Sequence, residues 1–188
     1  MKTWQNNYKA TLIVLLFIIT SFSFDNSIYS TNSGKVNFTS DAPLEIIKAS
    51  SVKLAGILNT VTKEFVFSVP MKSFEGFNSP LQKVHFNENY IESEKYPDAT
   101  FKGKIIEDID FKVSGKYKIR AKGKFSIHGK ENPMTIKSDL TVLKNEIEVN
   151  SIFIVRLVDH DIEIPTIVNQ KLAENITVNV RFTLKQKK

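Results

Sequence analysis

Polar and apolar residues alternate along most of the chain from Gly34 onward, and this period of two is typical of β-strands. The clearest example is segment 116–128, where basic or other polar residues occupy every second position and Tyr117, Ile119 and Phe125 lie between them. Such a strand presents one face to water and the other to an apolar interior. The pattern predicts eight strands, at 35–40, 52–59, 63–71, 99–106, 116–128, 133–143, 146–158 and 176–185.

Short polar connections separate several of these segments, as at 129–132 and 144–145, so neighbouring strands are expected to run antiparallel. Two longer segments lack the alternation. Segment 78–89 begins with Ser79 and Pro80, an N-cap followed by proline in the first turn. Segment 166–175 carries apolar residues at helical spacing after a proline. We expect helices or helical turns here, one or two short helices in all, packed on the rest of the fold.

Each of the eight antiparallel strands is apolar on one face, and that face must be kept from water. Closure into a barrel does this without leaving exposed edges. The expected fold class is therefore all-β, an eight-stranded antiparallel β-barrel. Such a barrel has room for its own side chains or for one small ligand. Gly123 either makes room inside or permits a sharp bend of its strand. The residues predicted to line a ligand cavity are Phe65, Phe67, Phe101, Ile119, Ala121, Gly123, Phe125, Met134, Ile136, Phe153, Val155, Val178, Val180 and Phe182.

The N-terminus has the layout of a secretory signal peptide. Lys2 and Lys9 precede an uncharged apolar run that is shorter than the roughly 20 residues of a membrane-spanning helix, and small residues follow it. We predict a signal peptide over 1–30, with cleavage between about residues 23 and 33, and a barrel domain over 34–188. A retained N-terminal anchor is the alternative. The predicted location is periplasmic or secreted, and the absence of cysteine excludes disulfides and a lipoprotein anchor.

The chain carries a net charge of +6, and part of it lies on the polar face of segment 116–128. Together with Lys102 and Lys104, these cations are expected to form one basic wall. Such a wall either contacts an anionic membrane surface transiently, each cation contributing about 1 kcal/mol, or keeps the sheet soluble. Nucleic acid is not expected as a partner, because exposed aromatic residues are not interleaved with the basic ones.

The three histidines are the candidates for acid–base or metal chemistry. His160 lies between Asp159 and Asp161, but neighbours in an extended chain point to opposite faces, so a polar turn is expected there. His85 is expected on a helix surface and His128 in a turn. No HExxH, GxSxG or phosphate-loop motif occurs. We therefore expect no enzyme activity, no catalytic residue, no metal site and no cofactor.

Two segments carry a family resemblance. Residues 123–139, GKFSIHGKENPMTIKSD, resemble the G-x-L-T-I-x-G-x-T-x-P-V-x-L hairpin of the YceI-like family, and residues 85–101, HFNENYIESEKYPDATF, resemble its segment ending in K-Y-P-x-A-x-F. The stretch FIVRLVDHDIEIP fits as well, so the resemblance extends from about Gly34 to Leu184. It implies a lipocalin-like barrel with a long apolar cavity, in a bacterial protein that is periplasmic or secreted. Some members of the family bind a polyisoprenoid chain, as in quinone precursors or prenyl phosphates.

The resemblance thus implies a carrier or sequestering protein for an elongated apolar ligand, a polyisoprenoid or fatty acyl chain, held inside the barrel. The alternative is a structural or interaction module whose interior is filled by its own phenylalanine rings. Polar residues at the cavity mouth are expected to add specificity, and the candidates are His85, Tyr90 and Arg156. A monomer or homodimer is expected.

Overall fold

The alternating segments of the sequence form strands in the computed structural model, which describes residues 27–187. The strands follow one another around a closed antiparallel barrel, and the last strand pairs with the first. They are β1 (Ile28–Asp41), β2 (Ile46–Asn59), β3 (Glu64–Pro70), β4 (Asp98–Ile105), β5 (Gly115–Ile127), β6 (Lys130–Val142), β7 (Glu146–Arg156) and β8 (Asn175–Gln186).

The strand faces that the alternation assigns to the interior are buried. In β5, for example, Ile119, Ala121 and Phe125 are buried, whereas the lysines and the arginine between them are exposed. Burying a large apolar side chain contributes about 1.5–3 kcal/mol relative to leaving it in water, so these faces drive the closure of the sheet. The predicted eight-stranded antiparallel barrel is confirmed.

β1 differs most from its sequence prediction. It begins at Ile28 rather than at residue 35, and its register with β2 shifts on both sides of Gly34. Such a bulge changes which side chains face inward and breaks the alternation. A Cβ on Gly34 would lie 2.6 Å from Leu54 Cδ2 and 2.7 Å from Phe182 Cβ, so only glycine fits there. Of the predicted signal peptide, residues 1–26 lie outside the described residues, whereas residues 28–30 belong to β1.

Gly123 allows β4 and β5 to approach closely. It is the register partner of Gly103. A Cβ on Gly123 would lie 2.2 Å from the carbonyl oxygen of Lys102, and a Cβ on Gly103 would lie 2.2 Å from that of Lys122. The two backbones therefore pack directly on each other, and Gly123 does not make room for a ligand.

The connection between β3 and β4 carries the short helix predicted in segment 78–89. The chain leaves β3 through a 3₁₀ turn (Met71–Ser73) and then forms α1 (Pro80–His85). The Ser79 side chain caps α1 by accepting a hydrogen bond from the backbone N–H of Gln82 at 3.2 Å. A π-helical turn (Phe86–Tyr90) follows directly. Within residues 27–187 no helix has the length and apolar character needed to cross a membrane.

The connection between β7 and β8 contains helical turns, one of the two forms expected for segment 166–175. A 3₁₀ turn (Leu157–His160) follows β7, and segment 166–175 contains only a second 3₁₀ turn (Thr166–Val168). The backbone N–H of Leu44, in the β1–β2 connection, donates to the carbonyl of Gln170 at 2.9 Å. This hydrogen bond joins the β7–β8 connection to the β1–β2 connection at the same end of the barrel.

The two ends of the barrel are closed differently. We call the end that carries α1 and residues 157–174 the helical end. At the opposite end, the long connection between β4 and β5 folds over the barrel and buries Ile109 and Phe111 there, whereas Ile106 and Val113 stay exposed. We call the buried side chains of this opposite end the plug: Tyr29, Ile109, Phe111, Val142 and Ile147.

β6 and β7 pair over only part of their lengths. In the described chain their ladder joins 138–142 to 147–151 and extends no further. Nearer the helical end the two strands are connected through loops instead. His128, which lies in the β5–β6 turn as predicted, places its Nδ1 3.0 Å from the carbonyl oxygen of His160.

Candidate ligand-binding cavity

The inward faces of all eight strands surround an elongated cavity. Its volume is about 210 Å³, several times the roughly 30 Å³ that one water molecule occupies in the liquid. β8 lines it from Ile176 to Leu184, which corresponds to about 27 Å of extended chain. The lining is almost entirely apolar, and the side chains on it that carry a polar atom, apart from the thioether of Met71, are Ser68, Tyr90, Thr100, Ser138 and Ser151.

Most of the predicted cavity residues meet on this lining. Gly123 and Met134 do not: Gly123 packs on the β4 backbone, and Met134, its register partner on β6, is half-buried outside the lining. Their prediction as lining residues is wrong because the β4 and β5 backbones are in direct contact at this level of the wall. The predicted residues that line the cavity are Phe65, Phe67, Phe101, Ile119, Ala121, Phe125, Ile136, Phe153, Val155, Val178, Val180 and Phe182.

Phenylalanine rings fill part of the interior. Phe65 and Phe101 have ring centroids 5.0 Å apart, and Phe67 and Phe182 have centroids 4.7 Å apart. The cavity remains open beside these rings, so the barrel is not filled completely by its own side chains. A second aromatic group, at the helical end, consists of Phe38, Phe74, Phe77 and Phe86.

The cavity is closed at the plug and approaches the surface at the helical end. Leu140 and Leu184, which line it near the plug, are 2% and 0% exposed. Phe86, Tyr90 and Leu172, which line it at the helical end, are only half-buried. Partial burial raises the pKa of the Tyr90 hydroxyl, which therefore stays neutral. We place the entrance between the π-helical turn and the connection that precedes β8.

Of the three polar residues predicted near the mouth, only Tyr90 lines the cavity. His85 is exposed at the end of α1. Arg156 is exposed at the end of β7, where its guanidinium nitrogen lies 3.6 Å from the carboxylate of Asp159. The predictions for His85 and Arg156 are wrong because α1 turns His85 to solvent and the strand alternation places Arg156 outside the barrel.

Exposed apolar side chains lie at the helical end on three connections, which hydrogen bonds join to one another. The backbone N–H of Leu44 donates to Gln170, and the side-chain amide of Gln82 donates to the carboxylate of Glu45 at 2.6 Å. Segments 42–44, 78–82 and 165–170 contain no charged residue. We call these exposed side chains the rim: Leu44, Leu81, Val84 and Ile167.

The predicted basic wall is present on the outside of β4 and β5, but carboxylates neutralise part of it. Lys102 and Lys124 both contact Glu131, at 2.9 and 2.7 Å, and Arg120 pairs with Glu107 at 2.8 Å. Hydrogen bonds from Lys124 and Lys102 lower the pKa of Glu131. The net charge of the wall is therefore smaller than its lysines and arginine suggest.

His160 is buried, which the sequence did not indicate. Its ring packs edge-on against Phe125 at 5.4 Å, and its Nδ1 lies 3.4 Å from the carbonyl oxygen of Lys130. Burial lowers the pKa of His160 and favours the neutral ring. The expected polar turn describes the exposed Asp159 and Asp161 but is wrong for His160, which holds the turn against the β5–β6 hairpin.

The predicted list omits apolar strand residues that line the cavity, such as Leu58, Leu140 and Leu184, and sequence reasoning missed two further kinds of lining residue. Phe86, Ile162 and Leu172 reach the cavity from connections, where strand alternation gives no information. Ser138 and Ser151 were missed because a search for apolar residues passes over serine. Both serines occupy inward positions of their strands, so strand parity alone would have identified them.

Fold and cavity together define a class of protein: closed eight-stranded antiparallel barrels around an elongated apolar cavity that approaches the surface at one end. A family model for the YceI-like domain matches residues 20–184. The chain belongs to the YceI-like family, which confirms the resemblance seen in the sequence.

Solved structures share this fold at low sequence identity. A polyisoprenoid binding domain from Saccharophagus degradans, implicated in plant cell wall breakdown, superposes with a TM-score of 0.72 at 13% identity, covering 86% of this chain and 99% of that chain. BcnA from Burkholderia cenocepacia has a TM-score of 0.66 at 12% identity, covering 80% and 95%. The Campylobacter jejuni YCEI protein has a TM-score of 0.53 at 16% identity, covering 100% of both chains. No curated protein matches the chain.

Proposed function

We propose that this protein binds an elongated apolar ligand, a polyisoprenoid or fatty acyl chain, inside its barrel and acts as a carrier or sequestering protein. The observation that carries the proposal is the cavity of about 210 Å³ with its almost entirely apolar lining. Membership of the YceI-like family supports it. The similar barrel from Saccharophagus degradans, described as a polyisoprenoid binding domain, supports it as well.

The lining suits a hydrocarbon chain because burial of apolar surface stabilises the bound chain without requiring hydrogen bonds of a particular geometry. One buried methylene contributes about 0.8 kcal/mol, so about ten buried carbons contribute roughly 8 kcal/mol before the cost of ordering the ligand. The cavity is smaller than the roughly 300–1,000 Å³ of drug-sized ligand sites. In this proposal a long chain is held inside over part of its length, and the remainder passes through the entrance.

Extraction of the purified protein with organic solvent, followed by mass spectrometry, tests the proposal. We expect a stoichiometric isoprenoid or fatty acyl species, and we expect that species to displace a fluorescent apolar dye from the stripped protein. The alternative, a structural or interaction module with a self-filled interior, predicts neither extracted lipid nor dye binding. That result would overturn the proposal.

The same proposal holds that the protein binds its ligand without converting it and that the protein is exported. His85, His128 and His160 all lie outside the cavity lining, so a ligand in the barrel meets no imidazole. The pattern of the first 30 residues supports export to the periplasm or the medium.

A carrier exchanges its ligand with a lipid surface or with a partner, and the rim supports contact with lipid. Three rim side chains, Leu44, Leu81 and Ile167, are exposed within stretches that contain no charged residue, and such side chains can insert among lipid tails. Val84, the fourth, lies between Lys83 and His85. The basic wall supports such contact less, because it lies on the side of the barrel and is partly neutralised. In this proposal the entrance opens directly onto the bilayer.

A further inference from the structure

Two serines face the cavity where the ladder between β6 and β7 ends. Ser138 on β6 and Ser151 on β7 are register partners that both line the cavity, and they are 8% and 9% exposed. Their hydroxyl oxygens lie 2.6 Å apart, which is a short hydrogen bond. Burying a hydroxyl costs free energy that burying an aliphatic side chain does not. A hydroxyl pair in an otherwise apolar wall therefore calls for a physical reason.

The pair leaves part of its hydrogen-bonding capacity unused. Two hydroxyls carry two hydrogens, and one of these hydrogens forms the bond between Ser138 and Ser151. In the chain from 27 to 187, neither oxygen has a further hydrogen-bond partner. One hydrogen and several lone pairs therefore remain available to a molecule in the cavity.

A serine pair outside the cavity shows the saturated arrangement. The hydroxyl oxygens of Ser51 and Ser73 also lie 2.6 Å apart. Ser73 donates to the carbonyl of Pro70 at 2.5 Å, and the Ser51 oxygen accepts from the backbone N–H of Lys53 at 3.0 Å. Ser51 must then donate to Ser73, so both hydrogens are used. This pair is explained by holding β2 to the turn after β3, whereas the pair in the cavity retains a hydrogen.

We propose that Ser138 and Ser151 together hydrogen-bond a neutral oxygen of the ligand, so that the natural ligand is an apolar chain carrying a hydroxyl or carbonyl group rather than a plain hydrocarbon. This inference rests on the proposed function and specifies its ligand class. A neutral oxygen fits because the described lining contains no charged side chain. The charged side chains near the pair, among them Lys137 and Arg181, line a depression on the outer side of the wall that the two serines also reach. Because none of these cations belongs to the cavity lining, a phosphate or carboxylate inside the cavity would lose its hydration without a counter-ion beside it.

The height of the pair in the barrel indicates the orientation of the ligand. On β7, Val149 lines the cavity on the plug side of Ser151, and Phe153 and Val155 line it on the entrance side. Apolar wall therefore lies between the pair and the entrance. A bound ligand carries hydrocarbon on the entrance side of its oxygen, and the part that carries the oxygen enters the barrel first.

Two ligands with the same prenyl skeleton test this inference, because farnesol carries a hydroxyl that the hydrocarbon farnesene lacks. Each is titrated against the stripped full chain loaded with N-phenyl-1-naphthylamine, and the ratio of the farnesene to the farnesol dissociation constant is measured. We expect the ratio to fall about three- to tenfold in the Ser138→Ala/Ser151→Ala variant, as for the loss of one net hydrogen bond. In the matched control, Ser51→Ala/Ser73→Ala, we expect an unchanged ratio.

The single variants sharpen this test. Ser138→Ala and Ser151→Ala each leave one hydroxyl whose hydrogen is no longer shared, so each is expected to keep the preference for farnesol. A purely structural cross-strand pair predicts a different result for the double variant: lower stability with an unchanged ratio. That result would overturn the inference.

A measurement on the unsubstituted protein remains decisive even where the double variant does not fold. The C=O stretch of bound geranylacetone, a prenyl ketone, is expected at lower frequency than in hexane because the serine pair donates to it. A stretch at the hexane position overturns the inference while leaving the proposed function intact. If neither farnesol nor farnesene displaces the probe from the wild-type protein, the proposed function itself fails and the inference fails with it.

Discussion

At the scale of single residues, Ala121 and Gly123 show how two small side chains on one strand serve different purposes. Ala121 lines the cavity between its register partners, Ile105 on β4 and Ile136 on β6. Gly123 lies two residues further along β5 and is packed against the β4 backbone. Ala121 therefore controls the width of the cavity, whereas Gly123 controls the contact between two strands.

The substitution Ala121→Phe is expected to weaken binding of an apolar dye roughly tenfold or more, because the ring occupies the space of the ligand. The barrel is expected to keep a cooperative urea unfolding transition. Val66→Phe is the matched control, since Val66 is exposed on the outside of β3. Fluorescence titration measures both affinities. Equal dye affinity in the two variants would show that the cavity is not the binding site.

His160 is expected to make the stability of the barrel depend on pH. Burial lowers the pKa of its ring in the folded protein, whereas in the unfolded chain the ring titrates near about 6.5. The unfolded state therefore binds more protons below that value, and stability that is present at higher pH is lost as the pH falls.

We expect the urea midpoint of the wild-type protein to fall between about pH 7.5 and about pH 5.5, and to fall less in His160→Phe, which keeps an aromatic ring beside Phe125. His85→Gln, at an exposed position, is the control and should behave as wild type. Parallel decreases in the wild type and in His160→Phe would assign the pH dependence to other groups.

At the scale of elements, the rim places exposed apolar side chains from three connections around one entrance. We expect Leu81→Ser/Ile167→Ser to bind phosphatidylcholine vesicles roughly tenfold more weakly, because two side chains that insert into lipid are lost. Transfer of a bound fluorescent fatty acid to those vesicles is expected to slow, while equilibrium affinity for the free fatty acid stays the same.

The matched control for the rim is Ile152→Ser/Ile154→Ser, which removes two exposed isoleucines from the outside of β7. This variant is expected to transfer ligand at the wild-type rate. If both double variants slow transfer to the same extent, the effect comes from general surface hydrophobicity and the rim has no special part in it.

The sequence predicted most strands well, but it missed the first residues of β1 and β2 and the cavity residues that lie in connections. β3 to β8 keep their alternation, so their bounds agree with the prediction to within a few residues. The prediction missed the start of β2, because the first buried positions of that strand are the small residues Ala49 and Ser51, and Ser51 bonds Ser73. Whether the phenylalanine rings fill the barrel depends on the distances between side chains on facing strands. The alternation of residues along one strand gives no information about those distances.

At the scale of the whole molecule, barrel closure depends on residues at the start of β1. The backbone N–H of Lys187 donates to the carbonyl of Ile28, and that of Thr60 donates to Ser27, each at 2.8 Å. The Tyr29 side chain is buried in the plug. The first residues of β1 therefore join both neighbouring strands and help to close one end.

A chain that begins at Lys35 is expected to be less stable than one that begins at Ser27 by about 3–5 kcal/mol or more, because it lacks the buried Tyr29 ring. Urea unfolding of the two proteins measures the difference. Under the export proposed above, N-terminal sequencing of the mature protein is expected to find its first residue at or before Ser27. Equal stability of the two chains, or a mature protein that starts after Ser30, would contradict this role of β1.

The ladder between β6 and β7 is incomplete, so the barrel wall is expected to deform more easily where these two strands meet. We call this junction the seam. The neighbouring strands β4 and β5 are held in close glycine-to-glycine contact, whereas the described parts of β6 and β7 form no ladder from residues 138 and 151 to the helical end, where only loops connect them. A ligand that is wider than the cavity is therefore expected to push the barrel wall outward along this seam. Backbone amides on its two borders should consequently be the first in the wall to exchange their protons for deuterium.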